Sequence, residues 1–139
     1  MNKQQCVSRL LELFPEQEAL IKNHLSDYGE VLLHVLSGEI IQEPLIELLH
    51  TNRNKSLILK YCNFIEEMWK QGTEEVVNVV DVSILERLSD DGQIWERFGW
   101  YVSDEFREYI NEVVLNTNIM MAAVKKLESN ILHFCKNSG

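Results

Sequence analysis

Prolines number two and glycines six in this 139-residue chain, and neither gathers into a tract that would read as a linker. A single domain over 1–139 is expected, burying roughly 68% of its unfolded surface. No apolar run approaches the ~18 residues of a membrane span. Met1-Asn2-Lys3-Gln4-Gln5-Cys6 carries early charge without the apolar core of a signal peptide, so a cytoplasmic protein is the expectation. Basic residues are scarce: 13 lysines and arginines stand against 22 aspartates and glutamates, a formal net charge of −9. That field repels phosphate backbones and anionic lipid, so neither nucleic acid nor membrane is expected as a partner.

Catalytic and metal signatures are equally sparse. The three cysteines, Cys6, Cys62 and Cys135, cannot all pair, and each sits among apolar residues, where a reduced thiol packs as a small hydrophobe. There is no Gly-rich phosphate loop and no Gly-x-Ser-x-Gly elbow. His133 and Cys135 fall on different faces of a helix and make no nucleophile–base pair. Glu47 and His50 have the spacing that joins carboxylate and imidazole in di-iron bundles, but such centres need two of these pairs and two further glutamates. At a helix end, His50 is better placed to offset the negative dipole. Glu30 and His34, one turn apart, read as a local charge pair, and His24 and His34 are not spaced as ligands on one helix. An enzyme, a cofactor and a metal are therefore not expected.

What the sequence does hold is helical periodicity almost throughout. Val7, Leu10, Leu11 and Phe14 repeat at i, i+3, i+4, i+7, and Pro15 stops that helix. A second helix runs from Ala19 to Tyr28 with Gly29 as its stop. A short third runs from Glu30 to Leu36 and ends at Gly38, and Pro44 opens a fourth with Leu45, Ile46, Leu48 and Leu49. Asn54 caps a helix over 55–71 with apolar face Leu57, Ile58, Tyr61, Cys62, Ile65, Met68 and Trp69, ended by Gln71-Gly72. Residues 74–89 are rich in β-branched valine, which favours strands. However, Val77, Val80, Ile84 and Leu88 form a helical stripe and Val79, Val82 and Leu85 a second, so an internal helix covered on two sides is expected. An aromatic helix over 93–101, interrupted at Gly99, follows. Ser103 caps 104–115, where Phe106, Tyr109, Ile110, Val113 and Val114 form the stripe. Asn116-Thr117-Asn118 marks a break before a last helix carrying Met120, Ala123, Val124, Leu127, Ile131 and Phe134.

Helix 55–71, a two-residue turn and helix 74–89 make a hairpin, and 17–50 and 93–136 read as flanking pairs. Pairs of this size that pack only on their neighbours describe an all-α solenoid; an irregular helical bundle is the alternative.

The charge is unevenly spread. Between Thr73 and Glu112 there are eleven acidic residues against Arg87, Arg97 and Arg107, with six of the twelve aromatics in the same stretch. Trp95, Phe98 and Phe106 are expected in the core, and Trp100 and Tyr101, beside Gly99, partly exposed. Tryptophan and tyrosine concentrate binding energy at interfaces. A binding face for a basic protein is therefore expected from Glu86, Glu96, Trp100, Tyr101, Glu105, Glu108 and Glu112. Of these, Glu105, Glu108 and Glu112 lie opposite the stripe of their helix.

The runs Asp27-Tyr28-Gly29-Glu30-Val31-Leu32-Leu33-His34 and Asn78-Val79-Val80-Asp81-Val82-Ser83-Ile84-Leu85-Glu86-Arg87-Leu88, with the segment Trp95 to Ile110, resemble an uncharacterised family of short bacterial proteins with HEAT-like hairpins. The resemblance implies a helical-repeat fold and an immunity-type function, the neutralising of a toxin, and transfers no site residues. Three readings are carried forward: an immunity-type inhibitor of a basic toxin; a helical regulator or adaptor binding an endogenous partner; and a small-molecule or metal-dependent enzyme, which lacks convergent titratable groups.

Overall fold

The computed structural model describes residues 1–113, 126–128 and 130, and these hold helices and no strand. In chain order they are α1 (Lys3–Leu13), a 3₁₀ turn (Pro15–Gln17) leading into α2 (Glu18–Tyr28), α3 (Leu33–Ser37), α4 (Glu43–Thr51), α5 (Lys55–Gln71), α6 (Glu74–Asn78), α7 (Glu86–Ser89) and α8 (Gly92–Tyr101), followed by a helix over 104–113. Packing separates Met1–Ser103 from the chain that begins at Asp104 as two compact units.

Local chemistry sets most boundaries in the first unit. The Asn2 side chain accepts from the Gln5 amide at 2.9 Å and the Gln5 side chain accepts from the Asn2 amide at 2.8 Å, which closes a capping box on α1. Gly29 terminates α2 in the left-handed region at φ 71°, a conformation that side chains oppose. Asn54, also left-handed, caps α5 by accepting from the Leu57 amide.

Two expected breaks do not occur. Gly38 is right-handed helical and opens a π-helical turn, Gly38–Gln42, that carries α3 into α4 without a stop. Pro44 cannot donate to the carbonyl of Ile40, and the wider turn just before it, in which the Glu43 amide reaches back to Gly38, is the usual way a helix absorbs such a defect. Gly99 lies inside α8, which continues to Tyr101. In both places buried side chains, Ile40 and Ile41 in one and Phe98 in the other, hold the helix through the glycine. The third helix also starts later than expected, at Leu33.

Residues 74–89 are helical, with a second π-helical passage, Val79–Leu85, between α6 and α7. The expectation that both valine faces are covered is corrected: Val76, Val79, Val80, Ile84, Leu85 and Leu88 are buried, whereas Val82 is 52% exposed. A π turn takes an extra residue per turn, so a wheel drawn at the α period misplaces the side chains it contains. The expected hairpin of α5 with 74–89 is present, joined at Gly72-Thr73. A Cβ at Gly72 would lie 2.3 Å from the Met68 carbonyl and 2.8 Å from Val76, so this close turn requires glycine. The chain start seals the same turn: the Met1 amine donates to Gln71 O at 2.5 Å and the Thr73 amide donates to Met1 O at 2.8 Å.

The core of this unit draws buried side chains from every helix, α1 to α8, and an aromatic cluster within it joins Phe14, just after α1, to α5. Phe14 stacks on Tyr61 with centroids 4.3 Å apart and meets Phe64 edge-on at 6.3 Å. Cys6 and Cys62 are free and buried. Burial pushes the Cys6 thiol up to about 12 and raises that of Cys62 as well, so both pack as the neutral hydrophobes expected of them.

In the second unit the helix over 104–113 buries Phe106 and Ile110, Phe106 stacks on Tyr109, and Asp104 pairs with Arg107 at 2.8 Å. Leu127, expected on an apolar stripe, is 61% exposed. The expected break at Asn116-Thr117-Asn118, the rest of that last stripe, His133 and Cys135 lie outside the described residues.

Candidate functional site

The expected binding residues fall on three elements. Glu86 is exposed on α7, Glu96, Trp100 and Tyr101 belong to α8, and Glu105, Glu108 and Glu112 are all exposed on the helix of the second unit. The last three stand at i, i+3 and i+7, which brings them to one side of that helix, opposite buried Phe106 and Ile110.

The sequence of α8 explains which of its side chains are free to serve. Asp91 caps it, one carboxylate oxygen accepting from the Gln93 amide at 2.9 Å and from the Ile94 amide at 3.1 Å. Ile94 and Phe98 turn inward and are buried, and Trp95 is half-buried against Phe98. Arg97 does not answer the acids around it: its guanidinium donates to the carbonyls of Leu49 and His50, each at 2.7 Å. A cation there satisfies the orphan acceptors at the C-terminus of α4 and offsets its dipole. Asn52 and Tyr101 complete the anchor, the tyrosine hydroxyl donating to Asn52 Oδ1 at 2.6 Å. Gln93, Glu96 and Trp100 are left on the outer face, and Trp100 is 58% exposed.

The structure therefore separates two rings that were expected to act alike. Trp100 presents its surface outward, and Tyr101 is half-buried with its hydroxyl committed to positioning α8. Glu96 and Trp100, one turn apart, are brought together on one face. Among the described residues neither side chain makes a hydrogen bond, ion pair or ring contact. Ser103, expected as the cap of the next helix, has its hydroxyl and amide donating to the carboxylate of Glu66.

The other titratable clusters behave structurally. Glu30 lies in the bend before α3 instead of one helical turn from His34, so the expected pair is replaced: His34 Nδ1 lies 2.5 Å from the Ser83 hydroxyl, with Asn78 near its other nitrogen, linking α3 to the second π-helical passage. His24 is buried, and its Nε2 accepts from the Leu32 amide at 3.0 Å, holding the turn after α2. Periodicity gave no sign of this, because the partner is a loop amide. His50 lines a small cleft of about 170 Å³ with Ile46, Arg87, Asp90, Asp91 and Ile94. No group of three or more His, Cys, Asp or Glu side chains among the described residues could hold a metal ion. No helix there is long and apolar enough to cross a membrane.

A family described as a domain of unknown function (DUF7674) matches residues 7–116, and the chain belongs to that family. No curated protein and no solved structure matches the chain.

Proposed function

We propose that this chain is a non-catalytic binding protein whose partner is a basic protein surface, and that it serves as an immunity-type inhibitor of a basic toxin. The observation that carries the reading is the outer face of α8, where Glu96 and the 58%-exposed Trp100 stand together on a helix fixed from behind by Arg97 and Tyr101. An exposed ring on a rigid element is the form an interface anchor takes, since little ordering entropy is lost when it is covered. The exposed acids, Glu86 in the same unit and Glu105, Glu108 and Glu112 in the second, supply charge that attracts a cationic partner to the chain. The bacterial origin and the HEAT-like repeat belong to the same reading. Helix α2 with α3–α4, and α5 with α6–α7, form successive hairpins that serve as the repeat units of a short solenoid.

The test is retention. Immobilised protein, and the same protein carrying Glu96→Lys and Trp100→Ala, are exposed to proteins of the source cell. The reading predicts a basic protein bound to the first and released from the second, whose toxicity is suppressed when the two are co-expressed. A neutral or acidic ligand, or one held equally by both forms, contradicts it.

A further inference from the structure

We infer that Glu96 and Trp100 together form a receptor for one arginine side chain of the partner, the indole face stacking on the guanidinium while the carboxylate pairs with its edge. The inference rests on the reading of α8 as part of the binding face and specifies the residue type it recognises. Side chains on an α-helix lean toward its N-terminus, so a residue covers the turn before its own Cα. Glu96 and Trp100, four residues apart and both exposed on α8, share one face, so a single cation docked there is within reach of both the ring and the carboxylate.

The charge of the segment fixes the sign of the occupant, because acids outnumber arginines eleven to three over 73–112. The cation on the same helix does not occupy the pair, because Arg97 is spent on the carbonyls of Leu49 and His50. What is offered outward is a half-exposed ring with a neighbouring carboxylate, held on a helix whose position is fixed by Asp91 at one end and Tyr101 at the other.

Arginine fits this arrangement better than lysine. Its guanidinium is planar and weakly hydrated, stacks flat on an indole and presents its N–H edge to a carboxylate at the same time. An ammonium keeps a tight hydration shell and can satisfy the ring or the acid, but it gains no stacking area. The partner segment is accordingly one in which an arginine, in place of a generic positive charge, is the anchoring residue.

The probes are capped hexa-arginine and hexa-lysine peptides of equal charge, titrated at low salt against the full chain. The indole N–H resonance of Trp100, identified by its loss in Trp100→Phe, serves as the local reporter. Hexa-arginine is expected to bind at least about threefold more tightly than hexa-lysine and to shift the Trp100 signal most. Glu96→Gln should weaken both peptides, and Trp100→Leu should remove the difference between them. At 58% exposure Trp100 can be replaced without opening the core, and an unchanged melting temperature verifies that. Equal affinity for the two peptides, or a preference that survives Trp100→Leu, overturns the arginine receptor and leaves the acidic face standing. Binding of neither peptide overturns the face itself.

Discussion

Acids on the α1–α5 side of the molecule and Glu96, the one acid within α8, are used in opposite ways. On the first side the chain answers its own charge: Arg9 joins Glu12 and Glu67, each at 3.1 Å, and Lys3 reaches Glu75 at 3.7 Å. On α8 the one arginine is bound to the end of α4 and makes no pair with Glu96, which leaves Glu96 exposed on the same face as Trp100. Where positive charge is paired with acids the surface is complete, and where it is diverted to backbone carbonyls the surface keeps a net field for something outside. The excess of acid in a sequence is thus less informative than where its few bases are spent.

Disturbing the packing shared by α1 and α5 should have the largest effect, because exposed ion pairs add little. Phe14→Ala removes a buried ring stacked on Tyr61 and should lower stability by about 3–5 kcal/mol in chemical denaturation. A loss below ~1 kcal/mol would mean that the aromatic cluster does not hold these helices together. Trp100→Ala should do the reverse, leaving the melting temperature almost unchanged while speeding dissociation of a bound partner by ~2 kcal/mol, about thirtyfold. Unchanged dissociation would remove the ring from the interface. Smaller again, Arg97→Met should destabilise the fold by about 1.5 kcal/mol by stranding the carbonyls at the end of α4. If that substitution tightened partner binding without loss of stability, the view that Arg97 serves the backbone would fail.

The sequence was most legible where the deciding interaction is local. The stop at Gly29 and the cap at Asn54 involve only neighbouring residues, and both are visible as residue types. Gly38 and Gly99 suggest breaks that the chain does not make, because a glycine's own preference is weak and buried Ile40, Ile41 and Phe98 carry the helix past it. Val82 was misplaced because the π-helical passage shifts the wheel, and no residue type announces such a turn. At the candidate site, the exposure of Glu105, Glu108 and Glu112 followed from the stripe opposite them. The bonds from Tyr101 to Asn52 and from Arg97 to Leu49 span 49 and 48 residues. Periodicity carries no information on pairs so distant, which is why the sequence grouped Tyr101 with Trp100 and gave Arg97 no role.

The most direct test of the account is the association rate of the basic partner, measured across ionic strength for two charge-matched double reversals. One carries Glu86→Lys with Glu96→Lys on α7 and α8, and the other carries Glu12→Lys with Glu75→Lys on the self-compensated side. Both change the net charge equally, so only the location of the acids differs. The account predicts that the first slows association several-fold at low salt, that this loss shrinks as salt screens the field, and that the second has little effect. Equal slowing by the two variants would contradict it, because total charge rather than the acidic, aromatic face would then be what the partner senses.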